Sequence, residues 1–240
     1  MNKKLLLGLL LLVVSCGLLA ACTTQPDDTN TPSAGDITGV NTCLETHDLS
    51  SERGINSVIT LGTLELTYEG ENTAAAAINA DLRAHLDAYL TETADQDEML
   101  AMENDSLTFT HELIYEPVAI DGQYISIIAS GYDYQGGAAH PNTYLEGFVY
   151  DAATGERLTL ADLLPEGYQE DLRNSVINQI SAAGEENNYY PGYEDLIDGV
   201  IAQENWYLKD NNIYLIFNPD QIAPYALGVL EFPYPYQSGE

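Results

Sequence analysis

An α+β fold, an antiparallel β-meander with helices packed on it behind a small strand-helix N-terminal domain, follows from three observations. Between residues 57 and 150 apolar side chains alternate with polar ones in several runs, the period of a half-buried strand. Over 71–93 and 170–183 they recur every three or four residues, the period of an amphipathic helix. The strand runs also follow one another directly instead of each being followed by a helix, which argues against a parallel α/β sheet.

Ser57–Tyr68 alternates and is rich in β-formers, and reads as one or two strands. Glu71–Thr93 holds no Pro or Gly, and Ile78, Leu82, Leu86 and Tyr89/Leu90 fall on one helical face. The acidic stretch Ala94–Asp105 reads as a loop or frayed helix end. Ser106–Ala119 is a strand with Leu107, Phe109, His111, Leu113 and Tyr115 on one face. Asp121-Gly122 supplies a tight turn, and Gln123–Tyr134 returns. A Gly-rich loop, 136–142, leads to a strand over Thr143–Tyr150. Asp151–Gly155 then turns the chain into a short further strand.

Helices are expected at 159–164, at 170–183 with Leu172, Val176, Ile177 and Ile180 inward, and at 193–204 with Leu196, Val200 and Ile201 inward. Trp206–Leu208, Ile213–Phe217 and Val229–Tyr234 are the closing strands.

The N-terminus carries an address. Lys3 and Lys4 precede the apolar run Leu5–Val14, which is short for a bilayer span of ~20 residues. Leu19-Ala20-Ala21-Cys22 reads as a lipobox, so residues 1–21 are expected to be a lipoprotein signal peptide and Cys22 the lipidated residue. Acyl chains hold a protein by about 0.8 kcal/mol per buried methylene. Residues 22–40, rich in Thr, Asp, Asn, Pro and Ser, are expected to be a disordered tether. The expected location is the extracytoplasmic face of the cell membrane. Cys16 leaves with the signal peptide and Cys22 carries lipid, so no intrachain disulfide is expected and Cys43 reads as a buried or idle thiol, the alternative being a bond to a second chain.

The formal charge is −31, with 38 acidic residues against seven basic ones, of which Lys3 and Lys4 lie in the signal peptide. Such a surface cannot neutralise phosphates, which excludes a nucleic-acid partner. It repels an anionic membrane, leaving lipid as the attachment, and it can steer a cationic protein or peptide. Dispersed acids also serve solubility.

No cofactor or metal is expected. HExxH, CxxC and EF-hand patterns are absent, and so is a Gly-x-Ser-x-Gly elbow around Ser130-Gly131. Asp81 and His85, one helical turn apart, could share a ligand. His111, on the apolar face of its strand, reads as a hydrogen-bonded core residue. Carboxylate pairs for acid–base hydrolysis always exist among 38 acids, so none is singled out. Candidate ligand-binding residues are Tyr132, Asp133 and Tyr134, entering the Gly-rich loop, and Gly136, Gly137, His140 and Asn142 within it. Tyr offers large, stiff contact area, suited to a protein partner or to stacking on a cell-wall glycan.

Two motifs carry a resemblance. The first is Gly136-Gly137-Ala138-Ala139-His140-Pro141-Asn142-Thr143, followed by Tyr150-Asp151, Thr154-Gly155 and Leu158–Leu164. The second is Phe217-Asn218-Pro219-Asp220-Gln221-Ile222-Ala223-Pro224-Tyr225-Ala226-Leu227-Gly228. The chain resembles the bacterial extracytoplasmic family in which a DUF4163 domain precedes a DUF3298 domain, which includes the RsiV-type lysozyme-sensing anti-sigma factor ectodomain. The family usually has Gly-Gly-Ala-His; here a second alanine, Ala138-Ala139, precedes His140.

The resemblance implies a DUF4163-like domain over 41–100 and a DUF3298/RsiV-like domain over 101–236. It implies a non-catalytic binding domain for a cationic protein such as lysozyme. The alternatives are a peptidoglycan-binding accessory module and a carboxylate-dependent envelope hydrolase.

Overall fold

The computed structural model describes residues 23–26, 37–120 and 123–236. The signal peptide and Cys22, and the Asp121-Gly122 turn, lie outside the described residues.

The described chain forms two layers. The first is a six-stranded sheet in sequence order, β1 (Thr23–Pro26), β2 (Ile37–Asp48), β3 (Asn56–Tyr68), β4 (Thr108–Ile120), β5 (Tyr124–Gln135) and β6 (Asn142–Asp151). A short helix α1 (Leu49–Glu52) joins β2 to β3. All neighbours are antiparallel except β3 and β4, which run parallel because the long helix α2 (Thr73–Glu103) crosses between them. Backbone read from composition as tether, at 23–26 and 37–40, is therefore strand.

Helix α2 starts where the Asn72 side chain accepts the Ala75 N–H, the usual way an orphan donor is satisfied. Ala75, Ile78, Leu82 and Leu86 are buried against Ile59, Leu61, Leu113, Ile125, Ile127 and Phe148 of the sheet. Each fully buried aliphatic is worth about 1.5–3 kcal/mol. The helix does not end at 93. The acidic stretch continues it by three turns, because Ala94 and Asp97 are buried and Arg53 pairs with Asp95 and Glu98. Of the two expected readings of Ala94–Asp105, loop or frayed helix end, the loop is corrected: the stretch is helix as far as Glu103.

Strand β4 alternates as expected: Phe109, His111, Leu113 and Tyr115 are buried and Thr108, Thr110 and Glu112 exposed. After β6 the expected fourth strand is a single bridge, Tyr150 to Arg157.

The second layer holds α3 (Leu160–Leu163), α4 (Tyr168–Ala183), α5 (Ile197–Ile201) and a three-stranded sheet, β7 (Trp206–Lys209), β8 (Asn212–Phe217) and β9 (Leu230–Pro235). In α4, Leu172, Val176 and Ile180 face the core as expected. The expected helix over 193–204 is instead a 3-10 turn, Tyr193–Asp195, followed by α5. Its inward residues are Ile197, Val200 and Ile201, whereas Leu196 is 43% exposed. Val200 and Ile201 are inward as expected, and Ile197 takes the place expected for Leu196.

The layers meet where β5 and β6 touch β7. Ser126 Oγ accepts the Leu208 N–H at 2.9 Å. A Cβ on Gly147 would lie 1.8 Å from the Trp206 carbonyl oxygen, so only glycine permits this approach. The first layer and its core draw on both sides of residue 100: Ile59 and Leu86 pack with Leu113 and Phe148.

Cys43 is disulfide-bonded, which overturns the expectation of an idle thiol; its partner lies outside the described residues. No described helix is long and apolar enough to cross a membrane.

Candidate functional site

A cleft of about 510 Å³ opens between the C-terminal half of α2 and the ends of β4 and β5; Tyr89, Glu92, Gln96, His111, Asp133 and His140 are among its lining. Its floor is a buried ionic cluster. His111 is 8% exposed and Asp97 2%. His111 Nε2 lies 3.0 Å from Asp97 Oδ2, and Nδ1 lies 2.8 Å from Asp133 Oδ1. Ser57 donates to Asp97 at 2.6 Å, and Tyr89 donates to Asp133 at 2.8 Å.

Burial opposes charge on the ring, but the hydrogen bonds to Asp133 and Asp97, with their charges, outweigh it and raise the His111 pKa to about 9. The ring is thus an imidazolium at neutral pH, with both nitrogens donating. Burial and the Asp133 carboxylate push the Tyr89 phenol upward, keeping it a neutral donor. His111 is the hydrogen-bonded core residue expected from its strand face; the two carboxylates that hold it come from 14 residues upstream and 22 downstream and carry no local signal.

The rim is the loop after β5. His140 stacks on Tyr225, ring centroids 3.8 Å apart, and its Nδ1 lies 2.9 Å from the Pro141 carbonyl oxygen. The Tyr225 hydroxyl donates to the same oxygen at 2.6 Å. Tyr225 sits in a 3-10 turn whose first N–H is held by Asp220 Oδ1 at 2.9 Å. The two motifs, 84 residues apart, thus clamp each other. They meet again at β6, where the Asn218 side chain accepts the Leu145 N–H and donates to the Leu145 carbonyl. Asn205 holds Gly147 and Leu145 in the same way, so amide side chains close an otherwise unpaired strand edge.

The expected site residues divide. Asp133, Tyr134, His140 and Asn142 line the cleft. Asp133 faces α2, while Tyr132 and Tyr134 start from the opposite face of β5, as strand alternation demands. Tyr132 is not among the lining, and Tyr134 reaches the loop only through its hydroxyl, 3.4 Å from the Ala138 carbonyl. Gly137 adopts φ +92°, which lets the loop turn, while Gly136 packs under Thr108.

The cleft residues Glu92 and Gln96 were not singled out by sequence, and Tyr89 was read only as part of the apolar helical face; their shared helical face with Asp97 was the available signal. Asp81 and His85 do not share a ligand. Asp81 accepts from Tyr150 at 2.7 Å, and His85 joins Tyr115 and Glu146. Among the described residues no cluster of three metal-binding side chains occurs.

Residues 161–237 match the model of a family described as protein of unknown function, DUF3298. This stretch is a DUF3298 domain. It coincides with the second layer. The fold extends further: a DUF3298 family member from Bacteroides fragilis has a TM-score of 0.57 at 19% identity, covering 81% of this chain and 88% of that one. A DUF3298 family protein from Pseudomonas aeruginosa PAO1 has a TM-score of 0.58 at 17% identity, covering 84% and 92%. At these identities the likeness concerns the fold, and it places the first layer and the DUF3298 domain in one architecture. None of the curated proteins matches the chain.

Proposed function

We propose that the protein is a lipid-anchored, extracytoplasmic, non-catalytic binding domain for a cationic protein such as lysozyme, with residues 41–100 as its DUF4163-like part. The observation that carries this reading is an acidic cleft whose buried histidine is already an imidazolium held by two carboxylates. A protonated, doubly hydrogen-bonded ring has no lone pair to act as a base, which weighs against a hydrolase. Arg53, Arg83 and Arg173 are each tied to acids of their own neighbourhood, leaving the acidic excess to attract a cationic partner.

Calorimetry of the full-length protein in detergent with hen lysozyme tests this. Binding that is micromolar or tighter (~−8 kcal/mol or stronger) at low salt and weakens steeply at high salt supports the reading. No heat at either salt removes it.

A glycan reading is favoured by a separate groove. Asp171, Asn174, Asn178 and Gln179 line it beside Tyr234 in an open cleft of about 590 Å³, offering planar polar groups next to an aromatic ring. Salt-insensitive binding of peptidoglycan fragments, lost in Tyr234→Ala, would move weight there.

The lipid anchor has its own test. A membrane-isolated chain that begins at a diacylated Cys22 supports the anchor. A chain recovered without lipid on Cys22 overturns it.

A further inference from the structure

The rim of the cleft carries side-chain acceptors that no described residue uses. A carbonyl oxygen only accepts, so the 2.9 Å contact with Pro141 fixes the proton of His140 on Nδ1. In the neutral form of the ring the lone pair then sits on Nε2. The ring's orientation is supported by the stack on Tyr225, whose hydroxyl donates to the same carbonyl. Across the cleft, on α2, Glu92 and Gln96 are exposed and their side chains make no hydrogen bond among the described residues. They lie one helical turn apart on the same face, so both address the opening. The floor carries two carboxylates against one imidazolium, and Glu92 adds a further negative charge, so the potential in the cleft stays negative.

This set favours a particular cation. A guanidinium is planar, presents five N–H donors in a fixed fork and stacks on aromatic rings. An ammonium is a compact, strongly hydrated point charge with three donors. Acceptors on both walls, beside the rings of Tyr89 and His140 that also line the cleft, suit the flat donor-rich group. We infer that the rim is an arginine-binding site, in which Glu92, Gln96 and His140 Nε2 accept the N–H groups of a guanidinium presented by the partner. The inference rests on the cationic-partner reading and narrows it from charge to a chemical group. His140, supported by Pro141 and Tyr225, is the specificity residue.

The test uses full-length protein in detergent, labelled with ¹⁵N at histidine, titrated with deca-arginine and deca-lysine at low salt. The expected result is that deca-arginine binds about tenfold tighter. The His140 Nε2 resonance moves with deca-arginine and stays in place with deca-lysine. Glu92→Gln, whose side chain makes no hydrogen bond among the described residues, brings the two affinities together without changing the unfolding midpoint; His140→Ala does the same with a lower midpoint, because it also removes the Tyr225 stack and the Pro141 bond. Equal affinities for the two peptides, or an unmoved His140, overturn the arginine site while leaving the cationic-partner reading standing. Binding of neither peptide overturns both.

Discussion

The two layers solve the same packing problem with different chemistry. The DUF3298 layer is closed by aliphatic and aromatic side chains, Leu172, Val176, Ile213, Ile216 and Phe217 among them. Its main buried-side acceptor is Glu204, which takes the Leu160 N–H and the Trp206 indole N–H. The first layer has an equally apolar core under α2 but ends, at the last turns of that helix, in the cluster of Ser57, Asp97, His111, Asp133 and Tyr89. The difference shows where specificity was placed. An apolar core tolerates repacking, whereas a buried ion pair loses several kcal/mol when one member goes. The cluster thus fixes one position of α2 against the sheet, and so one shape of the cleft.

The largest expected effect breaks that cluster. Asp97→Ala leaves the imidazolium with one carboxylate and orphans the Ser57 hydroxyl, and should cost about 3–5 kcal/mol in denaturant unfolding. A loss below ~1 kcal/mol would place the cluster on the same footing as a surface pair.

Next is pH. The folded pKa of His111, about 9, lies above the ~6.5 of an unfolded histidine. Its contribution is therefore complete below pH ~6.5 and is lost as pH rises to about 9, on the order of 3 kcal/mol. In His111→Phe the slope over this window should vanish. Leu172→Ala, in the apolar layer, should instead lower stability by about 2–5 kcal/mol with the slope unchanged.

A smaller effect is expected at the seam. Gly147→Ala drives a methyl into the Trp206 carbonyl and should cost about 1–3 kcal/mol, read as a lower thermal midpoint. Smallest is Tyr225→Phe, which deletes the hydroxyl bond to Pro141 and should cost about 1 kcal/mol while broadening the His140 signals.

Much of the architecture was legible in periodicity. The alternation of β4 told which face was buried, His111 included, and the spacing of Leu172, Val176 and Ile180 told the face of α4. The end of α2 was not legible, because Asp95, Asp97 and Glu98 read as a solvated loop until Arg53, Ser57 and His111 are seen to meet them. The two motifs were legible as motifs, but not that His140 would stack on Tyr225, a pairing only the folded chain makes. The division of Tyr132 and Tyr134 from Asp133 was written in strand alternation itself; neighbours in sequence are not neighbours on a face.

The central claim is that the cleft's buried histidine is a charged structural clamp and not a base. Titrating the His111 ring by ¹⁵N NMR in the full-length protein tests it most directly. The account predicts a doubly protonated ring at neutral pH with an apparent pKa of about 9. A ring that titrates near 6.5, with one bare nitrogen at neutral pH, would contradict it and return the cleft to acid–base chemistry.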